Sequence, residues 1–313
     1  MKKVLLYVTA GLVLMIVLSE FLNWIRVPFI MSLVYGTAAL GVGVLLRAGQ
    51  VSFGHAMYVM ISGYTVAFLS QAFPELDGII LVIIATLFSL VIGMIFALFL
   101  VRYRSIFFGM LNLAISMVIY TVATKAYQVT GGSDGMQIAR PSLFGFDMTR
   151  DAYETSLLLI MAFLVFGLVY AVQKFFLSAG GEAMASIKTN EDRLEYLGIS
   201  AQKLLWKGYT ISAGLCGLAG AFYGLTQGLV APEMGYWLKS GELVFISILG
   251  GSGHAVGAFI AALVFEFVQM FATIVIGGAW QLVLGTALIA IIYFLPGGLT
   301  SLFGKKPIPQ EAR

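Results

Sequence analysis

A charged island stands in an otherwise apolar chain between Ser178 and Lys207, SAGGEAMASIKTNEDRLEYLGISAQKLLWK. Glu182, Lys188, Glu191, Asp192, Arg193, Glu195, Lys203 and Lys207 fall inside it, and Lys174 stands one turn earlier. No apolar run of spanning length occurs within it, so this segment lies in water between two blocks that do not. Ala183, Ala185, Ile187, Leu194 and Leu197 recur near helical spacing and Gly198 supplies a stop, which predicts one short helix from Glu182 to Leu197. The apolar stripe of that helix requires a partner surface.

The blocks on either side decide the fold class. Hydrophobic residues make up 60% of the 313 positions and charged residues 11%, so the solvent for most of this chain is lipid. The expectation is an all-α, polytopic transmembrane bundle. A net charge of +3, scattered over short loops, argues against a nucleic-acid surface. The basic, apolar N-terminus resembles a signal peptide, but no small-x-small cleavage site follows before Asn23 and Trp24, so a retained first helix is expected.

Crossings are expected at Val4 to Leu22, Phe29 to Leu46, Met57 to Phe73, Ile79 to Val101, Ile106 to Tyr127, Thr155 to Phe175 and Gly208 to Val230. A half-length crossing from Glu242 to Leu249, then Ala255 to Ile276 and Trp280 to Phe303, bring the number to ten. With Lys2 and Lys3 inside, thirteen of the eighteen basic residues fall on the inner side. Arg26, Lys125, Arg140, Arg150 and Lys239 fall outside. The positive-inside bias therefore puts the island (178–207) and both termini in the cytoplasm. Residues 1–304 form one transmembrane domain, 129–154 its external loop and 305–313 a cytoplasmic tail.

Two turns break the helical pattern alike, Arg47-Ala-Gly-Gln-Val-Ser-Phe-Gly-His-Ala56 and Gly250-Gly-Ser-Gly-His-Ala255. Irregular backbone at membrane depth survives only where protein or a water-filled cavity satisfies it, and paired interruptions often mark a duplicated fold and its pathway. Chance likeness between two Gly-rich turns is the rival reading. Ser52, His55, Ser252 and His254 are candidate pathway residues on this ground. In the external loop, Gly131, Gly132 and Gly135 of TGGSDGM allow positive φ, and Ser133 and Asp134 can accept backbone N–H groups. This is either a structured turn or a lip where a solute or docking protein arrives.

Glu266 is the acidic residue nearest the middle of a spanning segment, with Gln269 one turn on. An ionised group there costs at least ~2.5 kcal/mol facing lipid, so it points inward or holds a proton. It is a helix-joining hydrogen bond or a pathway contact, and Asn112, Ser116 and Gln227 read as helix-joining groups of the same kind. Gly217, Gly220, Gly224 and Gly228 with Ala213 and Ala221 form a small-residue face for close helix packing.

Catalysis finds little support. The sequence holds no Walker A motif, no H-E-x-x-H and no G-x-S-x-G. Cys216 is alone, and the two histidines lack carboxylate or thiolate partners for a metal, so no cofactor is expected on this chain.

Five stretches in order carry a resemblance: AGQVSFGHAMYVMISGYTVAFL (48–69), TGGSDGM (130–136), GGEAMASIKTNEDRLEYLGIS (180–200), APEMGYWLKSGE (231–242) and ILGGSGHAVGAFIAALVF (248–265). Together the chain resembles the permeases of branched-chain amino acid ABC importers, the LivM-like subunits in particular. The resemblance implies pairing with a second related permease, two cytoplasmic ATPase subunits that bind ATP and Mg, and an external or periplasmic solute-binding protein. It also implies that Gly181, Ile187, Lys188, Asn190, Glu191, Asp192 and Arg193 couple the chain to an ATPase subunit. Glu182 and Ala185 depart from the basic residues expected there, and His254 stands where threonine is more usual. Relatives of such permeases carry leucine, isoleucine and valine, or urea, short amides or aromatic acids, and the sequence leaves the cargo open. A nucleotide-independent transporter or channel is the alternative, supported by the broken helices and Glu266; an intramembrane enzyme ranks last.

Overall fold

The computed structural model describes residues 2–251 and 253–277, and beyond them only isolated positions up to 299. The helices are α1 (Lys2–Phe21), α2 (Arg26–Arg47), α3 (Ala56–Ala72), α4 (Gly78–Leu100), α5 (Ser105–Lys125) and the single turn α6 (Tyr127–Thr130). There follow α7 (Arg150–Phe176), α8 (Ala179–Ile187), α9 (Glu191–Tyr196), α10 (Ala201–Gln227), α11 (Trp237–Gly250) and α12 (Ala255–Ile276). The strands β1 (Met136–Gln137) and β2 (Leu229–Val230) pair antiparallel, Met136 opposite Val230.

Five helices among the described residues are long and apolar enough to cross a membrane, those within Asn23–Arg47, Gly78–Leu100, Ser105–Lys125, Arg150–Phe176 and Ala255–Val275. Their burial separates centre from rim: 89% of the α2 window is enclosed by protein, against 28% for α4 and for α5. Ile83, Leu87, Val91, Ile95 and Leu98 of α4 and Phe107, Met110 and Val118 of α5 face outward as an apolar belt that only lipid satisfies. The chain is thus a multi-pass, all-α membrane protein. The expected crossing from Trp280 to Phe303 and the tail 305–313 lie largely or wholly outside the described residues.

α10 is the hub, and its small residues are the reason. A Cβ on Gly220 would collide with the Val59 carbonyl of α3, one on Gly217 would stand 2.5 Å from the Ser89 Cβ of α4, and one on Gly41 of α2 would stand 2.9 Å from the Ser212 carbonyl oxygen. Three helices therefore approach α10 at backbone distance, the contact that the glycine spacing predicts. Gly228, in the left-handed conformation at φ 68°, ends it.

Most connections among the described residues gather at one of two ends. At the island end, Arg47 reaches the carbonyls of Phe176 and Gly181, and the Ser105 amide donates to Gln50 Oε1 at 2.9 Å. At the loop end, the Gly78 amide donates to the Ser142 carbonyl, Gln71 bonds the Gln137 carbonyl, and Arg26 faces Asp151 at 3.8 Å.

Several expected boundaries move. The helix from Glu182 to Leu197 is two helices, α8 and α9, because the Asn190 side chain accepts from the Arg193 amide and starts a new helix, as Ser178 does for α8. α7 begins at Arg150, ahead of the expected Thr155. The short helix expected from Glu242 begins at Trp237.

Candidate functional site

Two irregular segments enter the bundle from opposite ends and meet. From the island end, 48–55 follows α5 inward: Gly109 faces the Val51 carbonyl, and Gly54 packs against the backbone of Asn112 so closely that a Cβ would collide with it. From the loop end, 231–236 descends to Ser116, whose hydroxyl donates to the Gly235 carbonyl at 3.2 Å. Ser116 lies halfway along α5, a helix about 31 Å long at 1.5 Å per residue. The segments touch where the Ala56 amide, first of α3, donates to Ser240 Oγ of α11 at 2.9 Å. α11 then descends, with Ser247 Oγ near Gly43 of α2. Backbone of this kind is tolerated at depth because protein groups satisfy it.

Beside this junction lies a cavity of about 270 Å³ between α2, α3, α10 and α11. Val34, Val59, Leu229, Met234 and Leu243 give it an apolar wall, Tyr35 and Tyr223 add an edge-to-face pair at 6.5 Å, and Lys239 and Glu233 bring opposite charges to it. Glu242, 5% exposed, holds the Lys239 ammonium through both carboxylate oxygens at 3.0 and 2.8 Å. Glu266 of α12 lies within electrostatic reach of Tyr35, Tyr223, Lys239 and Glu242. Its Oε2 and the Oε1 of Gln269 are buried without a hydrogen bond among the described residues. Asn112 and Ser116 do join helices: Asn112 Oδ1 accepts from Tyr209 at 2.6 Å.

The remaining sequence candidates are dispersed. Ser52 and His55 are fully buried and bonded to each other, Oγ to Nδ1 at 2.6 Å, with Tyr58 and Tyr209 edge-on to the imidazole. His254 is exposed at the island end, and Ser252 lies outside the described residues. The two turns nevertheless share one device: as Ser240 caps Ala56, Gln173 Oε1 of α7 accepts from the Ala255 amide at 3.0 Å. Ser133 and Asp134 are exposed at the loop end. Asp134 accepts from the Tyr127 hydroxyl at 3.0 Å, which raises the phenol above its ordinary range. Gly135, at φ 73°, lies against Val230 and Ala231, so TGGSDGM buttresses the segment that lines the cavity.

The island is latched to the bundle. Arg104 grips both oxygens of Glu191 at 2.7 to 3.1 Å, and Arg47 bonds Glu182 at 3.0 Å, while its guanidinium lies 4.8 Å over the Phe176 ring. Gly181, Met184, Ile187 and Leu194 are buried, and the Lys188 stem covers Gly49 of the re-entrant segment. The outer face carries Lys188, Asn190, Asp192, Arg193 and Glu195, with Tyr196 91% and Leu197 70% exposed.

Sequence reasoning missed the cavity. Lys239 reads as a loop residue under the charge bias, and only the descent of 231–236 carries it inside. The local signal was a Lys and a Glu three residues apart, opening a short apolar helix after Pro232 and Gly235.

Re-entrant segments meeting at depth, an ion pair beside a cavity and a helical pair latched outside the bundle define a helical membrane protein built around an interior site. The chain belongs to the family described as the permease component of the branched-chain amino acid transport system, whose profile it matches over residues 28–293. It is 25% identical over 255 residues to the high-affinity branched-chain amino acid transport system permease protein LivM of Escherichia coli K12, covering 74% of this chain and 60% of that one. It is 24% identical over 268 residues to the corresponding protein BraD of Pseudomonas aeruginosa, covering 80% and 86%. A probable LivM of Methanocaldococcus jannaschii is 24% identical over 246 residues, covering 74% and 69%. The chain thus spans about 60% of the length of its Escherichia coli relative. No solved structure matches it.

Proposed function

We propose that this chain is a membrane-spanning permease subunit of an ATP-driven importer, moving branched-chain amino acids or a related small solute handed over by an external binding protein. It has no catalytic role of its own. Two cytoplasmic subunits bind ATP and Mg, and a second related permease completes the membrane part. In this reading the chain crosses the bacterial inner membrane ten times, with the island and both termini in the cytoplasm. The distribution of basic residues supports that orientation: Arg47, Arg102, Arg104, Lys174, Lys188 and Arg193 gather at the island end.

One observation carries the reading. The island is fixed to the inner ends of α2 and α5 by Arg47 and Arg104, and Lys188 rests on the segment that runs to the Ala56–Ser240 junction. A partner that moves α8 and α9 pulls on that segment and thus on the floor of the cavity. Asp192, Arg193, Tyr196 and Leu197 form the face presented to an ATPase subunit. Gly181, Ile187, Asn190 and Glu191 hold that face in shape. Ser133 and Asp134 belong to the lip that meets the binding protein. Ser52, His55, Ser252, His254 and Glu266 remain pathway candidates around the two turns.

A cysteine at Tyr196 tests the docking face, since the native Cys216 is buried and does not compete. In the assembled complex, Tyr196→Cys forms a cross-link to an ATPase subunit with a short bifunctional reagent. A cross-link to the binding protein instead, or none to any subunit, contradicts the reading.

The half-buried Lys239–Glu242 pair and Glu266 favour one second reading, a transporter driven by an ion gradient without nucleotide. Uptake by the chain alone distinguishes it.

A further inference from the structure

We infer that the groove between α4 and α7 is a lipid site that holds one acyl chain of a membrane phospholipid from the leaflet at the loop end. The inference stands apart from the importer reading and concerns what completes the packing around α10.

The groove opens on the apolar belt. α4 and α7 form its walls, Leu218 and Phe222 of α10 its floor, and Phe144 of the loop before α7 its mouth at the loop end. Of the twelve residues that line it, Thr86 alone is polar, and its Oγ1 meets no hydrogen-bond partner among the described residues. A polar solute would find one hydroxyl to bond, whereas hydrocarbon requires none. Ile83, Leu87 and Phe163 stand exposed along the rims, on helices long and apolar enough to cross a membrane. Exposed apolar side chains at that depth meet lipid or another apolar helix.

Width decides between the two. The groove holds about 570 Å³ and runs about 12 Å from Ile79 to Leu87 at 1.5 Å per residue, a mean cross-section of about 48 Å². A helix with its side chains is ~10 Å across and fills about 80 Å², so it would bridge the rims and leave a void above Leu218. Such a void forfeits dispersion contacts on every side chain that faces it, whereas an extended hydrocarbon chain enters and restores them. Gly167, one turn beyond Phe163 on α7, would meet nothing within 4 Å even with a Cβ, so a chain longer than the groove can run on past it.

The mouth is strained. Leu143 and Phe146 exchange two backbone hydrogen bonds around Phe144 and Gly145, which stand at φ 55° and 76°, a turn whose first central position favours asparagine. A bulky aromatic residue rarely adopts that conformation, and here it sets an exposed ring on the groove. The carboxyl end of the acyl chain lies at this ring, and its methylenes run down towards Leu87.

The test places the full chain in nanodiscs of phosphatidylethanolamine and phosphatidylglycerol whose acyl chains carry a diazirine at the third or the tenth carbon, and maps the photolabelled residues by mass spectrometry. With the tenth-carbon probe, label on Leu218 and Leu164 is expected at least fivefold above that on Val118 and Val122, which stand exposed on α5. The third-carbon probe shifts the label to Ile79 and Phe144. Leu218→Trp fills the floor and abolishes the groove label while the α5 label stays. Should that variant not give a monodisperse profile, Ile83→Trp at the rim blocks the groove with the same result. Phe144→Gly relieves the turn, so the thermal midpoint in detergent is unchanged or higher, yet groove labelling falls at least threefold, a split that a merely structural role would not give. Groove label no higher than α5 label, or the reverse order of the two probes, overturns the inference. So does loss of the groove label when a second permease joins the complex, which would make the groove a protein interface.

Discussion

Arg104 meets both oxygens of Glu191 across 87 positions of sequence, and about 28% of each side chain remains exposed. A bidentate pair with this much water contact contributes about 1 kcal/mol, well below a fully buried one. Its value is geometric, because it fixes the first turn of α9 to the start of α5. Arg104→Glu or Glu191→Arg alone is therefore expected to lower coupled transport severalfold while the protein stays in the membrane. The double exchange restores much of it, and a double-mutant cycle on uptake rate measures the coupling. If Glu191→Arg keeps normal transport with Arg104 intact, the latch plays no part. Nothing in the local pattern announces this pair: Glu191 reads as a solvated charge on a short helix, and its partner is visible only once α5 and α9 are placed together. Asn190 was legible as a polar residue of the island, but its role as an N-cap, which breaks one expected helix into two, is a choice between two local hydrogen-bond patterns that spacing alone does not make.

At the scale of elements, α10 shows what sequence conveys well. Glycines and alanines three and four apart promise close packing, and α2, α3 and α4 fulfil that promise because each brings its own backbone or a small residue to the contact. Gly220→Val places a side chain into the Val59 carbonyl and is expected to cost about 3 kcal/mol by overpacking, read as a lower thermal midpoint of the purified chain. Gly167→Ala on α7, where a Cβ meets nothing within 4 Å, is expected to leave the midpoint unchanged or raise it. Equal behaviour of the two variants would contradict the hub. α11 shows what sequence conveys poorly. Its apolar stretch promised a half-length helix, yet where that helix begins depends on how deeply 231–236 descends, and this is fixed by Ser116, Met60 and Tyr120 on other helices. That descent is why Lys239 sits beside a cavity rather than in the loop expected for it.

For the whole molecule, the two ends and the centre form one mechanical line. The island is tied to α2 and α5, the segment 48–55 runs from that tie to the Ala56–Ser240 junction, and the lip at Gly135 braces the far wall of the cavity. Motion at the water-exposed end is thereby linked to an interior site by packed backbone. This arrangement suits a subunit driven from outside itself. The most direct measurement is uptake of labelled L-leucine by proteoliposomes containing this chain with the second permease, ATPase subunits and binding protein of the proposed importer. The account predicts uptake that requires ATP on the island side and disappears when the ATPase subunits are left out. Gradient-driven uptake by the chain without those subunits would contradict it.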